Sequence, residues 1–98
     1  MNKPSTDLYD AILMLENKQE VQNFLKDLCT PQEIAALTER WRVCQMLAAG
    51  DLSYREIHAA TGASITTIGR VARFLKDEPN MGYKQLLAKI KLKEDVVS

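Results

Sequence analysis

The stretch SYREIHAATGASITTIGRVARFLK, Ser53 to Lys76, carries two short helical patterns joined by a tight turn around one glycine. For two helices to cross steeply after so short a turn, one turn residue must tolerate positive φ, and both helices must aim apolar side chains into the corner. Gly62 meets the first need. Ile57, Ala63, Ile68 and Val71 meet the second, with Thr61 the exception that a residue of two characters can fill. Ile65, Thr66, Thr67, Gly69, Arg70 and Arg73 then spread over the remaining surface of the second helix. Short Thr hydroxyls and an apolar tip at a helix start suit base edges and thymine methyls in a major groove, while Arg and Lys further along suit phosphates. The positive end of the helix dipole favours a phosphate as well. The stretch therefore reads as a helix-turn-helix, about residues 53–76, that binds DNA. Two other readings fit the same corner: a packing corner with a solvated basic face, and a helix pair that binds a protein.

Outward from this corner the chain reads as amphipathic helices. Leu8, Ala11, Ile12 and Leu15 form one helical stripe, and Val21, Phe24, Leu25 and Leu28 repeat it after the polar interval Glu16 to Glu20, giving one long helix or two with a break. TPQE, Thr30 to Glu33, supplies a cap, a proline at the first helical position and a capping-box glutamate. Ile34 and Leu37 form a short apolar edge, after which Thr38 can cap a further helix lined by Trp41, Cys44, Leu47 and Ala48 and ended by Gly50. Ser53 and Glu56 form another capping box, for a helix of barely two turns to Ala60. Ser64 can cap the next helix, which carries Ile65, Ile68, Val71, Phe74 and Leu75 until DEPN stops it, since Pro79 disfavours helix at Glu78. A last amphipathic helix holds Met81, Leu86, Leu87 and Ile90. No strand pattern or repeat interrupts this, so the expected fold is all-α with about six helices.

At 98 residues the chain is expected to form a single domain, residues 1–98, with a modest core unless it self-associates. No apolar run approaches the roughly 20 residues needed to span a bilayer, and Met1 to Asp10 lacks the order of a signal peptide. A cytoplasmic protein without membrane contact is expected. Two cysteines, Cys29 and Cys44, with a single histidine assemble neither a zinc site nor a disulfide framework. The sequence offers no metal site and no cofactor motif. GASIT, Gly62 to Thr66, lacks the final glycine and the preceding strand of a nucleophile elbow. With no Gly-rich phosphate loop, paired catalytic constellation or cofactor motif, no enzyme is expected.

Net charge is zero, but its distribution is uneven. Residues 1 to 51 hold five basic against eight acidic groups, and the tail from Asp77 balances four against four. From Ser53 to Lys76 the sign reverses: Arg55, Arg70, Arg73 and Lys76 face only Glu56. The Lys84, Lys89, Lys91 and Lys93 series reads as a solvated helix face offset by Glu94 and Asp95. Trp41, on an apolar helix face, reads as core or interface.

Three groups in register carry a family resemblance: Leu37, Thr38, Arg40 and Arg42; Gly50, Ser53, Arg55 and Glu56; and the run from Gly62 to Arg70. Over about 50 residues, TPQEIAALTERWRVCQMLAAGDLSYREI through TGASITTIGRVARFLKDEP resembles the trp repressor superfamily, and within it the uncharacterised Gram-positive branch. The resemblance implies an intertwined all-helical homodimer that represses transcription at palindromic operators in double-stranded DNA. It places operator contacts on Tyr54, Arg55, His58, Ile65, Thr66, Thr67 and Lys76. Glu39 and Gly69 stand where the family can place hydroxyls. Thr30, Arg40 and Arg70 occupy the places of the tryptophan-sensing members' ligand residues, but Val71 and Phe74 replace small side chains after the second arginine. Such bulk leaves little room for an indole. The expectation is a repressor without tryptophan as corepressor, its Phe74 ring lying between Arg40 and Arg70. The alternative is a protein-interaction module that uses the same helix pair on a partner of the transcription machinery.

Overall fold

The computed structural model describes residues 5–77 and 79–97, with side chains as far as residue 94. Glu78, on which the Pro79 argument bears, lies outside the described residues, as does the side chain of Asp95. Six helices and no strand occur among the described residues: α1 (Leu8–Leu13), α2 (Lys18–Leu28), α3 (Pro31–Ala49), α4 (Tyr54–Thr61), α5 (Ile65–Lys76) and α6 (Gly82–Val97). The chain divides into two compact units, one ending at Ala35 and the other beginning at Ala36.

In the first unit the open alternative resolves to two helices. Asn17 adopts an extended conformation and its side chain accepts the Glu20 N–H at 2.9 Å, while Glu20 reaches back to the Glu16 N–H at 2.9 Å. These two bonds satisfy donors that a continuous helix would have paired within its own ladder. The described residues of this unit include no buried side chain; Phe24, Leu25 and Ile34 are only half-buried, and Tyr9 and Leu13 are 78% and 81% exposed.

Helix α3 corrects the expectation of two helices between Thr30 and Gly50. Thr30 and Glu33 form the expected reciprocal cap, with bonds of 2.8 and 3.1 Å, but Thr38 lies inside an unbroken helix of 19 residues. A capping residue must leave the helical conformation, and nothing around Thr38 favours leaving it: Ala35, Ala36 and Leu37 are all good helix formers. Gly50 ends α3 in the left-handed conformation, φ +78°.

The second unit builds its core around the corner. Val43 and Cys44 of α3, Ile57 of α4, Ala63 of the turn, and Ile68, Val71, Ala72 and Leu75 of α5 are buried. The four α5 positions follow the i, i+3, i+4, i+7 spacing of a single helix face. Trp41, Met46, Leu47, Tyr83 and Leu87 pack on the edge of this cluster, with the Trp41 and Tyr83 rings 6.5 Å apart and tilted by 31°. Ala48, expected on the apolar face, is exposed. Burial raises the pKa of the Cys44 thiol above its ordinary value and keeps it protonated. Met81, expected within the last helix, instead precedes it in a left-handed conformation, φ +64°, its carbonyl accepting the Gln85 N–H at 2.9 Å. No described helix is long and apolar enough to cross a membrane.

Candidate nucleic-acid interface

The corner is held by backbone and side-chain bonds together. Ser53 caps α4 reciprocally with Glu56: its N–H donates to the Glu56 carboxylate at 2.9 Å and its hydroxyl oxygen accepts the Glu56 N–H at 3.1 Å. The Ser53 N–H first, and its hydroxyl second, hold the exposed Glu56 carboxyl below its ordinary pKa. Gly62, φ +79°, ends α4 with its N–H on the His58 carbonyl at 2.8 Å. The Thr61 hydroxyl donates to the Ile57 carbonyl at 2.8 Å and accepts the Ala63 N–H at 3.0 Å, which is how a polar residue serves at this point of the corner. His58 Nδ1 lies 2.6 Å from the Ala63 carbonyl oxygen. Arg42 of α3 donates to the Ala60 carbonyl at 3.3 Å. Ser64 then caps α5 by accepting the Thr67 N–H at 3.1 Å, its own hydroxyl lying 3.1 Å from that of Thr67.

On this scaffold the expected contact residues share two adjoining helices. Tyr54 and Arg55 open α4 and His58 follows one turn on, all three exposed. On α5, Ile65 is 53% exposed and Thr66, Arg70, Arg73 and Lys76 are exposed, whereas Thr67 is half-buried under its bond to Ser64. The first turn of α5 carries no acidic side chain, so the positive end of its dipole is uncompensated by the helix itself.

Around the residues at the family's ligand positions one contact is formed within α5. The Arg70 guanidinium lies over the Phe74 ring, 4.7 Å from its centroid. Val71 is 1% exposed and belongs to the core. Arg40 is half-buried on α3, and Thr30, in the first unit, has its N–H and hydroxyl engaged in the α3 cap. Beside Arg70 and Phe74 an open cavity of about 360 Å³ is lined also by Asn80, Gly82 and Tyr83. Tyr83 and the Arg42 tie to Ala60 were not singled out from the sequence. A lone Trp on an apolar face signals some aromatic partner, whereas a bond from an arginine to a carbonyl 18 residues away leaves no local trace.

An all-α chain with a capped pair of short helices, a left-handed glycine between them and basic side chains on the exposed face of the second is a helix-turn-helix protein. The family model described as Trp repressor protein matches residues 5–91. The chain is 39% identical over 89 residues to the uncharacterized protein YerC of Bacillus subtilis (strain 168), covering 91% of this chain and 84% of that one. It is 42% identical over 55 residues to a Trp operon repressor homolog of Aliivibrio salmonicida, covering 56% and 51% respectively. The crystal structure of a TrpR like protein from Eubacterium eligens superimposes with a TM-score of 0.80 at 38% identity, covering 86% of this chain and 84% of that one. The chain belongs to the Trp repressor family, whose members are DNA-binding transcriptional regulators.

Proposed function

We propose that this protein is a sequence-specific transcriptional repressor that occupies a two-fold operator as a homodimer, in the cytoplasm, without tryptophan as corepressor. The observation that carries this reading is the exposed, acid-free start of α5, projected from an ordered corner and followed by Arg70, Arg73 and Lys76. In this arrangement Ile65, Thr66 and Thr67 read base edges, while Tyr54, Arg55, Arg70, Arg73 and Lys76 hold the phosphates. His58 has its Nδ1 on the Ala63 carbonyl, so only Nε2 remains for any other partner.

The homodimer is supported by the first unit, whose described residues bury no side chain while Tyr9, Leu13 and Met14 are largely exposed. A unit with several exposed large apolar side chains and none buried gains from a partner that covers them. A match that runs from residue 5 to residue 91 favours both units acting as one domain. Two copies would present their α5 helices about 34 Å apart, on successive major grooves. The reading without corepressor rests on Phe74, which already occupies the face of Arg70, and on Val71, which fills the core.

Selection from a random duplex pool by the purified protein, with no added ligand, tests this directly. Enrichment of a two-fold symmetric site is expected. Micromolar binding of tryptophan by calorimetry would overturn the corepressor-free reading. The zero net charge favours one other reading, a protein-interaction module centred on the exposed Ile65. Absence of duplex binding at low salt, with partner capture lost on Ile65→Asp, would establish that one instead.

A further inference from the structure

Ala63 is fully buried, yet it lies between α4 and α5 and neither helical ladder pairs its backbone. Side chains of α4 take over both of its polar groups. The N–H is accepted by Thr61 Oγ1 at 3.0 Å, and the carbonyl oxygen lies 2.6 Å from His58 Nδ1. A carbonyl oxygen can only accept, so Nδ1 must carry the proton. The neutral ring is thereby fixed as the Nδ1–H tautomer, and its Nε2 bears a lone pair that can donate nothing to a phosphate. Ser64, the next residue, is the cap of α5, and Ile65 and Thr66 follow at once. The two peptide groups on either side of Ala63, one held by Thr61 and the other by His58, thus lead directly into Ser64, the cap of the helix that carries the reading residues.

We propose that His58 is a positioning residue for DNA recognition. Together with Thr61 it clamps the backbone on both sides of Ala63 and sets the direction in which α5 leaves the turn, and it is not itself a phosphate contact. This rests on the DNA-reading assignment above. It also gives a reason for a reading head that stands ready without a ligand: side chains of the same corner hold the turn that an effector would otherwise have to order.

Asn and Gln variants separate the two ring nitrogens, since an Asn amide can reach the place of Nδ1 and a Gln amide the place of Nε2. Affinity for the duplex enriched by the wild-type protein is measured for His58→Asn, His58→Gln and His58→Ala across a salt series. His58→Asn should stay near the wild-type value, while His58→Gln and His58→Ala should weaken binding about tenfold, the order expected when a buried carbonyl loses its partner. The slope of log K against log salt should be the same in all, whereas loss of a phosphate contact would lower it by about 0.9. Nitrogen-15 spectra of the wild-type imidazole should place the proton on Nδ1. Retention by His58→Gln with loss in His58→Asn, equal affinity in all three variants, a reduced slope, or an Nε2–H tautomer overturns the proposal. A wild-type protein that binds no duplex overturns the DNA assignment and with it the role given to His58. In that case the tautomer, and the thermal stability of His58→Asn relative to His58→Gln, decide separately whether the clamp exists.

Discussion

Thr61 does with one hydroxyl what a helical ladder cannot do at a turn: it answers the Ile57 carbonyl and the Ala63 N–H together. Thr61→Val keeps the shape and removes the hydroxyl, leaving a buried amide unpaired. Urea denaturation should register a loss of about 1–3 kcal/mol, and Thr61→Ser should recover most of it. Gly69 behaves differently. It sits in the middle of α5, and a Cβ added there meets nothing within 4 Å. Gly69→Ala should therefore raise stability by about 1 kcal/mol, the ordinary cost of glycine in a helix interior. Its duplex affinity should be unchanged; a more stable variant with weakened binding would show that DNA approaches the backbone at this position. Both residues stood out in the sequence, Thr61 as a polar group in an apolar corner and Gly69 as a gap in a reading face. What was not legible was the role of His58 in the turn, because the partner of its ring is a backbone atom that comes near only once the chain has turned.

At the scale of elements, the boundaries that were readable are those set by local chemistry. Thr30 with Glu33, Ser53 with Glu56, Ser64, Gly50 and Gly62 all act where their side chains or conformational freedom required. The interior of α3 was misread for the converse reason: Thr38 resembles a cap, but a helix already started at Pro31 continues through it without any local signal to stop. The break between α1 and α2 depended on Asn17, whose bond to Glu20 decides between two patterns of equal periodicity. The α4 cap also makes an acid-range prediction. Glu56 has a folded pKa below its ordinary value, so its contribution is complete above the unfolded pKa, near 4.3, and is lost as pH falls through the folded pKa. The melting temperature of the wild-type protein should thus fall more steeply through the acid range than that of Glu56→Gln. Equal slopes would mean that the cap contributes nothing to global stability. In the candidate site, the basic face of α5 is readable from residue types, whereas the pairing of Arg70 with Phe74 is implied by the family resemblance and takes its geometry from their spacing of four on one helix.

For the molecule as a whole, eight buried residues, all in the second unit, make a small core among the described residues. On the homodimer reading, part of the stability is supplied by a second copy, so the melting temperature should rise with protein concentration. A melting temperature independent of concentration from micromolar amounts downward, with a monomeric mass in solution, would remove the dimer from the account. The exposed apolar residues of the first unit then bear on how long the protein survives in a cell. A protease needs an accessible chain, and residues such as Tyr9, Leu13 and Met14 offer one whenever the partner is absent. On the reading of a dimeric repressor, newly made chains would be cleared quickly while scarce and slowly once abundant, so turnover itself would sharpen the difference between an unoccupied promoter and an occupied one.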